Sequence, residues 1–585
     1  MVKRNNKKFF YFLYLLATLI CISTTSFAEN SIRATNGIDK PLPNYTPKLL
    51  KSLDVYASRG ETVGFFLFLK SDSSKKLTAT RFVNQRGRKN GKIKISFFDP
   101  QPIKVDNTNK SFEDAYSGIY YDPLLPYPNS IDINASKKGK WVFVDVEVPS
   151  DVSAGEYNAK IKFGKKALPI KLKVWKMIIP ETPTLPLYGE INPITVDEGH
   201  YGQWRPMSEV DIDLYKKYIK EISDHRMYPM RSWPFESLFA PFQAGENRKG
   251  LDLVSTNYES IMIKGLPKGV YYDLPDMNCS GVPEAEEAQN CHVDNLNKIE
   301  KVNYLNAMEQ SIKDYSRQGL LATVFLWDEP FQQASKWGTE RIYKDDMDAV
   351  VGYLRLVKNK VPSVKTVISS PCFIDLVGSV DIFISAPNYM EEGYGNFGGR
   401  FEDCTEVQSR GAESWWYVSC MSHGCIPKDP DDNPGTPDFV IERPSSYISS
   451  IAWLQAEYKF TAFFYYALVH MYESYPINAG GIDPWTSVYA HTGQGDGTLL
   501  YPGRAGERGL TTHQPIPSIR LKLWRETSFT AEYIKWMKGV NKKSKPKWWG
   551  KKVKNMASSQ INWEKKYQKY YKIKKQMGDF LNNKR

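Results

Sequence analysis

The sequence predicts a multidomain chain of mixed class: an N-terminal β-sandwich, a (β/α)8 TIM-like barrel, and a basic C-terminal helical tail. Three observations predict it. Residues 31–175 carry evenly spaced β-branched and aromatic runs with no helical periodicity between them. From residue 187 onward, short apolar runs alternate with amphipathic helical stretches, the pattern of a parallel sheet covered by helices. The final stretch is dominated by lysine and aromatic residues.

The first residues read as a targeting segment. Lys3, Arg4, Lys7 and Lys8 precede an apolar run from Phe9 to Ile22, and Ser26-Phe27-Ala28 follows with small residues at the cleavage positions. The run is short for a bilayer span of roughly 20 residues. Cleavage after Ala28 is expected, which would leave a secreted or periplasmic chain.

Residues 29–177 form the predicted sandwich. Thr62 to Leu69 and Trp141 to Val148 are strand runs bounded by Gly, Pro, Asp and Ser. Ala154-Gly155-Glu156-Tyr157 is a turn that feeds another strand, and Leu168 to Val174 alternates. The proline-punctuated stretch from Ile178 to Pro186 is the junction. Residues 184–540 then form the predicted barrel. Its candidate strands are Leu187–Ile191, Thr323–Trp327, Thr366–Ser369, Ile382–Ser385, Trp415–Ser419 and Ala462–Tyr466. Helical stretches over Glu209–Asp224, Lys301–Gln318 and Lys344–Lys358 lie between them. A doubly wound open sheet is the alternative, but no Gly-rich phosphate loop follows any strand.

Charge and cysteine content narrow the function classes. The formal net charge is +13, and the tail 541–585 alone, with fifteen Lys/Arg against Glu564 and Asp579, also carries +13. The signal segment adds +4, which leaves the remainder near −4. No basic catalytic domain therefore argues for nucleic acid. The tail is a candidate contact for an anionic glycan or membrane surface; equally, its Trp and Tyr residues suit a helix packed on the body. Six cysteines follow Ala28, an even number suited to an oxidising compartment. Cys279 and Cys291 bracket a polar loop, while Cys372, Cys404, Cys420 and Cys425 come later. Cys420 and Cys425 flank His423, but no second paired-Cys knuckle accompanies them, so disulfides are expected and no metal. No cofactor is expected either.

One segment carries chemistry. Ala322-Thr323-Val324-Phe325-Leu326-Trp327 reads as a buried strand, and Asp328-Glu329-Pro330 follow it. In a barrel, the C-terminal strand ends converge on one mouth. Paired carboxylates there suit glycoside cleavage, where one group protonates the leaving oxygen while charge develops at the anomeric carbon. Crowding beside Trp327 would raise one acid's pKa, as a general acid requires. The same three residues also make a good helix start, with a capping acid and a first-turn proline.

Several motifs in order resemble a known family. They are Arg59-Gly60-Glu61, Tyr121-Asp122-Pro123-Leu124-Leu125-Pro126, Val148-Pro149 with Ala154-Gly155-Glu156-Tyr157, and His225-Arg226. Trp327-Asp328-Glu329-Pro330, Val380-Asp381-Ile382 and Trp415-Trp416-Tyr417 follow. Gly495-Asp496-Gly497 through Gly503 and Pro515-Ile516-Pro517-Ser518-Ile519-Arg520-Leu521 complete the set. Together they resemble the domain of unknown function 4091 and the related glycoside hydrolase family 123, the β-N-acetylgalactosaminidases. The resemblance implies a sandwich-plus-barrel architecture and substrate-assisted, retaining hydrolysis through an oxazolinium. It implies Glu329 as general acid and base, and Asp328 as the residue that orients the substrate's acetamido group. The partner so implied is an oligo- or polysaccharide containing amino sugar.

Trp327, Trp415, Trp416, Tyr417, Tyr466 and Trp485 are candidate sugar-stacking or core aromatics, and Tyr389 is a candidate acetamido hydrogen-bond partner. Asp496 is a candidate for binding a sugar hydroxyl, although a tight turn needs the same residues. His225-Arg226 read better as the end of a helix. Two other functions fit: a glycosidase on a non-acetamido exopolysaccharide or capsule sugar, and an inactive glycan-binding protein of surface polysaccharide assembly.

Overall fold

A computed structural model describes residues 30–105, 116–128, 130–203, 205, 209–230, 271–274, 321–325, 355, 358–359, 362, 365–387, 401–420, 436–472, 482–490 and 493–584. The expected signal peptide, the Cys279–Cys291 loop, the helical stretch 301–318, most of 344–358, Trp327 to Pro330, Tyr389 and Cys425 lie outside the described residues.

The N-terminal strands are β1 (Ser31–Ala34), β2 (Leu53–Arg59), β3 (Glu61–Lys70), β4 (Lys75–Ala79), β5 (Phe82–Asn84), β6 (Lys89–Asn90), β7 (Lys94–Val105), β8 (Gly118–Pro126), β9 (Ser130–Ile133), β10 (Lys140–Val148), β11 (Gly155–Phe163) and β12 (Lys166–Ile178). One sheet runs β1-β3-β10-β7-β8 and the other β2-β12-β11-β4-β9, with β5 and β6 at its side. The described ladders are antiparallel, except that β2 runs parallel to β12. Alternation places Tyr157, Ala159, Ile161 and Phe163 of β11 inward, and Leu168, Ile170, Leu172 and Val174 of β12 likewise. They share one apolar cluster with Leu67, Leu69, Val142, Val144 and Val146 of the opposite sheet. Phe66 and Phe143 face the other way and join a second, larger core. Strands β3 and β10 are thus covered on both faces, which explains why their sequences are apolar runs rather than alternations.

The second region is an all-parallel sheet. Its strands are β13 (Leu187–Glu190), β14 (Met227–Met230), β15 (Tyr271–Leu274), β16 (Leu321–Phe325), β17 (Lys365–Ser369), β18 (Ile382–Ser385), β19 (Glu413–Tyr417) and β20 (Ala462–Tyr465). The spatial order is β14-β13-β20-β19-β18-β17-β16-β15. The first strand of the region therefore pairs with the second on one side and the last on the other. Six of the eight coincide with expected strands. Strand β14 was missed because Pro229, which cannot donate to a ladder, sits inside it opposite Gly189. Strand β15 was missed because Tyr271-Tyr272-Asp273-Leu274 is too short and polar to read as buried.

Helices α1 (Pro193–Tyr201), α2 (Ile212–Asp224), α3 (Phe401–Ser409), α4 (Ser446–Tyr458), α5 (Ile519–Gly539), α6 (Trp548–Met556) and α7 (Tyr567–Lys584) complete the described helical elements, apart from isolated single turns. Side chains of Asn192, Asp211 and Ser518 cap the first turns of α1, α2 and α5. Two hairpins, β21 (Tyr489–Ala490) with β22 (Gly493–Gln494) and β23 (Leu500–Gly503) with β24 (Gln514–Pro517), follow β20. At the end of α2, Arg226 takes a left-handed φ of 61° and donates to Glu532, Ser528 and the Pro180 carbonyl. His225 bonds back to the Glu221 carbonyl, so both residues are structural. A disulfide joins Cys372, just after β17, to Cys404 of α3, and Cys420 is also disulfide-bonded.

The tail packs its aromatics inward. Trp549, Trp563, Tyr567 and Tyr570 belong to the large core, and the Tyr567 hydroxyl accepts a hydrogen bond from the backbone N–H of Ile38 at 2.7 Å. Helix α5 is buried along most of its length, and its Arg520 is fully buried with Asp122 of β8 at 2.8 Å. Removing one partner of such a pair strands the other charge. Arg520→Met or Asp122→Asn should therefore lower stability by about 3–5 kcal/mol in urea unfolding. A loss below about 1 kcal/mol, the scale of a surface pair, would show that the contact does not anchor this region.

Candidate active site

The C-terminal ends of β19 and β20 meet the turn Gly495-Asp496-Gly497. The backbone N–H of Cys420, three residues beyond β19, donates to Asp496 Oδ2 at 2.8 Å. The Tyr466 hydroxyl, one residue beyond β20, donates to the same oxygen at 3.0 Å, and that of Tyr465 donates to Oδ1 at 3.3 Å. Gly497 N–H in turn donates to the Tyr465 hydroxyl at 2.9 Å. Burial pushes the Asp496 carboxyl up to about 6, against the lowering effect of the Cys420 and Tyr466 hydrogen bonds. Both flanking glycines are obligatory. Gly495 has φ +86°, and a Cβ there would lie 2.6 Å from the Arg520 guanidinium. Gly497 has φ +67°, with the Tyr466 hydroxyl 2.5 Å from the same imagined atom.

Asp496 is only 1% exposed, so it acts on its surroundings through the groups it fixes. Chief among them is Tyr466, which is half-buried, with its ring 5.8 Å from that of His470. The arrangement holds a phenol at the strand ends in one orientation.

The three aromatics of β19 divide by strand alternation. Trp415 stacks on Tyr188 of β13 at 4.6 Å and 5°, and its indole donates to Glu413. Tyr188 stacks in turn on Tyr228 of β14 at 5.4 Å. Trp416 points the opposite way, where it donates to Gln455 of α4 at 2.7 Å and packs on Phe460 and Phe463. Tyr417 returns to the Trp415 face and meets the edge of Phe464. Trp485 packs against Tyr501, donates to the Pro502 carbonyl at 2.8 Å, and has the Arg508 guanidinium over its ring at 4.0 Å. The described structure thus brings Tyr466 and Asp496 together, near the end of the strand that carries Tyr417. Trp416 and Trp485 lie in packing environments. Asp328, Glu329, Trp327 and Tyr389 lie outside the described residues.

Sequence reasoning missed Glu442. It is 1% exposed, its Oε1 accepts from Gln494 N–H at 3.4 Å, and Oε2 makes no hydrogen bond among the described residues. Burial pushes its carboxyl up to about 7. Nearby, Lys40 donates to the Ile441 carbonyl at 2.6 Å, and burial holds its amine down at about 8. No motif marks Glu442, because Phe439-Val440-Ile441-Glu442-Arg443 resembles any half-apolar loop.

Two measurements check these environments. In Asp496→Asn the amide keeps one acceptor oxygen where three donors converge, so a donor loses its partner; a loss of about 1–3 kcal/mol is expected in thermal unfolding. Unchanged stability would show that the three donors do not depend on the carboxylate. Glu442 has a raised folded pKa, so its favourable contribution is full below about 4.5 and is lost as pH rises through about 7. Glu442→Gln should therefore gain stability relative to wild type between pH 5 and 8, by roughly 1–3 kcal/mol. A pH-independent difference would contradict that environment.

No family model matches this sequence, and no curated protein matches it either. Among solved structures, the chain is similar to a family 123 glycoside hydrolase from Clostridium perfringens, described for its hydrolysis of glycolipid glycans. The TM-score is 0.61 at 11% identity, over 95% of this chain and 98% of that one. A calcium-binding mutant of Bacteroides uniformis β-glucuronidase 2 matches at a TM-score of 0.29 and 9% identity, over 76% of this chain and 46% of that one, too low to carry an argument. The fold of this chain is that of a family 123 glycoside hydrolase.

Proposed function

We propose that this chain is an exported, retaining glycoside hydrolase that acts on amino-sugar glycans by substrate assistance. The carrying observation is β16, a strand flanked on both sides by parallel neighbours that ends at Phe325; in the sequence the Asp328-Glu329 pair follows its last residue by three positions. The C-terminal edge of a parallel sheet is where such folds gather their chemistry. The likeness to a glycoside hydrolase over nearly the whole chain supports the same reading. So does the strand order, which we read as a (β/α)8 barrel closing between β14 and β15 and preceded by a β-sandwich.

In this mechanism Glu329 protonates the departing glycosidic oxygen. Asp328 orients the 2-acetamido group, whose carbonyl oxygen attacks the anomeric carbon, so the enzyme supplies no nucleophile of its own. Glu329 then takes a proton from the water that opens the oxazolinium, and two inversions give net retention. Tyr466, held by Asp496, contributes a fixed polar contact one residue beyond β20, while the buried Trp415 and Tyr417 pack within the sheet behind it.

Glu329→Gln should lower turnover of an N-acetylgalactosaminide by about 10²–10⁴-fold, with little change in melting temperature. A thiazoline mimic of the cyclised intermediate should inhibit the wild type. Near-wild-type activity in Glu329→Gln would end the proposal. Turnover of a sugar lacking the acetamido group, insensitive to thiazoline, would replace it with ordinary double displacement. Glycan affinity with no turnover by the wild type would make the protein a binding module.

A further inference from the structure

We propose that helices α6 and α7 form an outward cationic face that binds a carboxylated polysaccharide, independently of hydrolysis. The argument begins with charge. Residues 541–585 hold fifteen Lys/Arg and two acids, and their +13 equals the net charge of the whole chain. The body from residue 29 to 540 is slightly acidic. Such segregation is not needed for solubility, which an evenly spread charge would serve as well.

The structure divides this segment by chemistry. Trp549, Met556, Trp563, Tyr567, Tyr570 and Ile573 are buried in the main core. Lys547, Lys551, Lys554, Lys566 and Lys572 are exposed. Lys551 and Lys554 lie three residues apart on one face of α6, and Lys547, four residues before Lys551, stands at its N-cap position. The two acids are already engaged, Glu564 with Lys569, and Asp579 with Lys173 and Lys575. Among the described residues, no ion pair involves Lys547, Lys551, Lys554, Lys566 or Lys572. Like charges that come within a Debye length of about 8 Å repel, and a polyanion relieves that repulsion.

The surface also selects among polyanions. A helix lying on a membrane places its apolar face in the interface, but the apolar faces of α6 and α7 are spent on the body. Ile561, at 37%, is the large exposed hydrophobic residue of the segment among those described. Single-stranded nucleic acid needs uncovered aromatic platforms, whereas here Lys552 lies over Trp548 and Lys565 over Trp563. All the tail's cations except Arg585 are lysines, point charges that suit carboxylates spaced along a flexible chain rather than a fixed bidentate fork.

The test is binding of the purified protein to immobilised polygalacturonate at low salt, with neutral dextran as control. Phosphatidylserine-containing vesicles and a single-stranded oligonucleotide serve as competitors. Binding to polygalacturonate is expected, falling at least about tenfold at high salt. A variant with Lys547, Lys551, Lys554, Lys566 and Lys572 all changed to Gln should bind about tenfold more weakly, with an unchanged melting temperature. If that variant does not fold, the triple Lys547→Gln, Lys551→Gln, Lys554→Gln change on α6 should show a smaller loss in the same direction. The proposal fails if both variants bind like wild type, if dextran binds equally well, or if vesicles or the oligonucleotide bind more tightly than polygalacturonate. Loss of hydrolysis in Glu329→Gln with retained polygalacturonate binding separates this surface from the proposed catalytic site.

Discussion

The contact on which the rest of the structure depends is the buried pair of Arg520 and Asp122. Taking two charges out of water costs several kcal/mol each, so the pair persists only if every donor finds an acceptor. It does. The guanidinium bonds to both Asp122 oxygens and to the carbonyls of Phe439, Gly495 and Thr498, while Tyr501 donates to Asp122 as well. The planar fork of arginine can serve these directions at once, and a lysine could not. One side chain thereby joins β8 of the N-terminal sheets, the loop before α4, and the turn that carries Asp496. The orientation of Tyr466 at the strand ends thus rests on a charge pair deep in the interior.

Helix α5 extends this logic along its length. Lys522 and Arg525 pair with Asp145 of β10, Glu532 receives Arg226 and Thr184, and Tyr533 donates to Glu61. Lys574 of α7 closes on the other oxygen of Glu61 at 2.6 Å. The interface between the antiparallel sheets and the helices is therefore charged and directional. Hydrophobic burial would hold the layers together in many registers, whereas paired charges with fixed acceptors select one.

Much of the fold was legible because local pattern and burial agree. Strands such as Ile382–Ser385 and β11 announce themselves as continuous or alternating apolar runs. What escaped were elements whose own sequence argues against them. Pro229 sits inside β14, and Ile519-Arg520-Leu521-Lys522-Leu523-Trp524-Arg525 reads as a half-exposed amphipathic helix although it is almost wholly buried. Its charged face is covered by acids from β8 and β10, which lie nearly 400 residues away and cannot be paired with it by any local rule. The site divides in the same way. Gly495-Asp496-Gly497 was visible as a motif, but its three hydrogen bonds come from two other strand ends. Trp485 was visible as an aromatic, whereas only the structure shows Arg508 over its ring. Glu442 had no signal, because burial of a carboxylate is a property of its neighbours.

The hydrogen bond from Ile38 to Tyr567 spans 529 residues, and Gly578 lies so close to Trp175 that a Cβ there would sit 2.2 Å from the indole. The core between the N-terminal sheets is made of their own residues, but their outer faces are not covered until residues 567–584 have been made. A ribosome takes half a minute or more to traverse that distance at about 5–20 residues per second. Through that interval the faces of β3 and β12 that will receive α5 and α7 stay uncovered. A chain that lacked α7 would leave the face of β12 around Trp175 open to water.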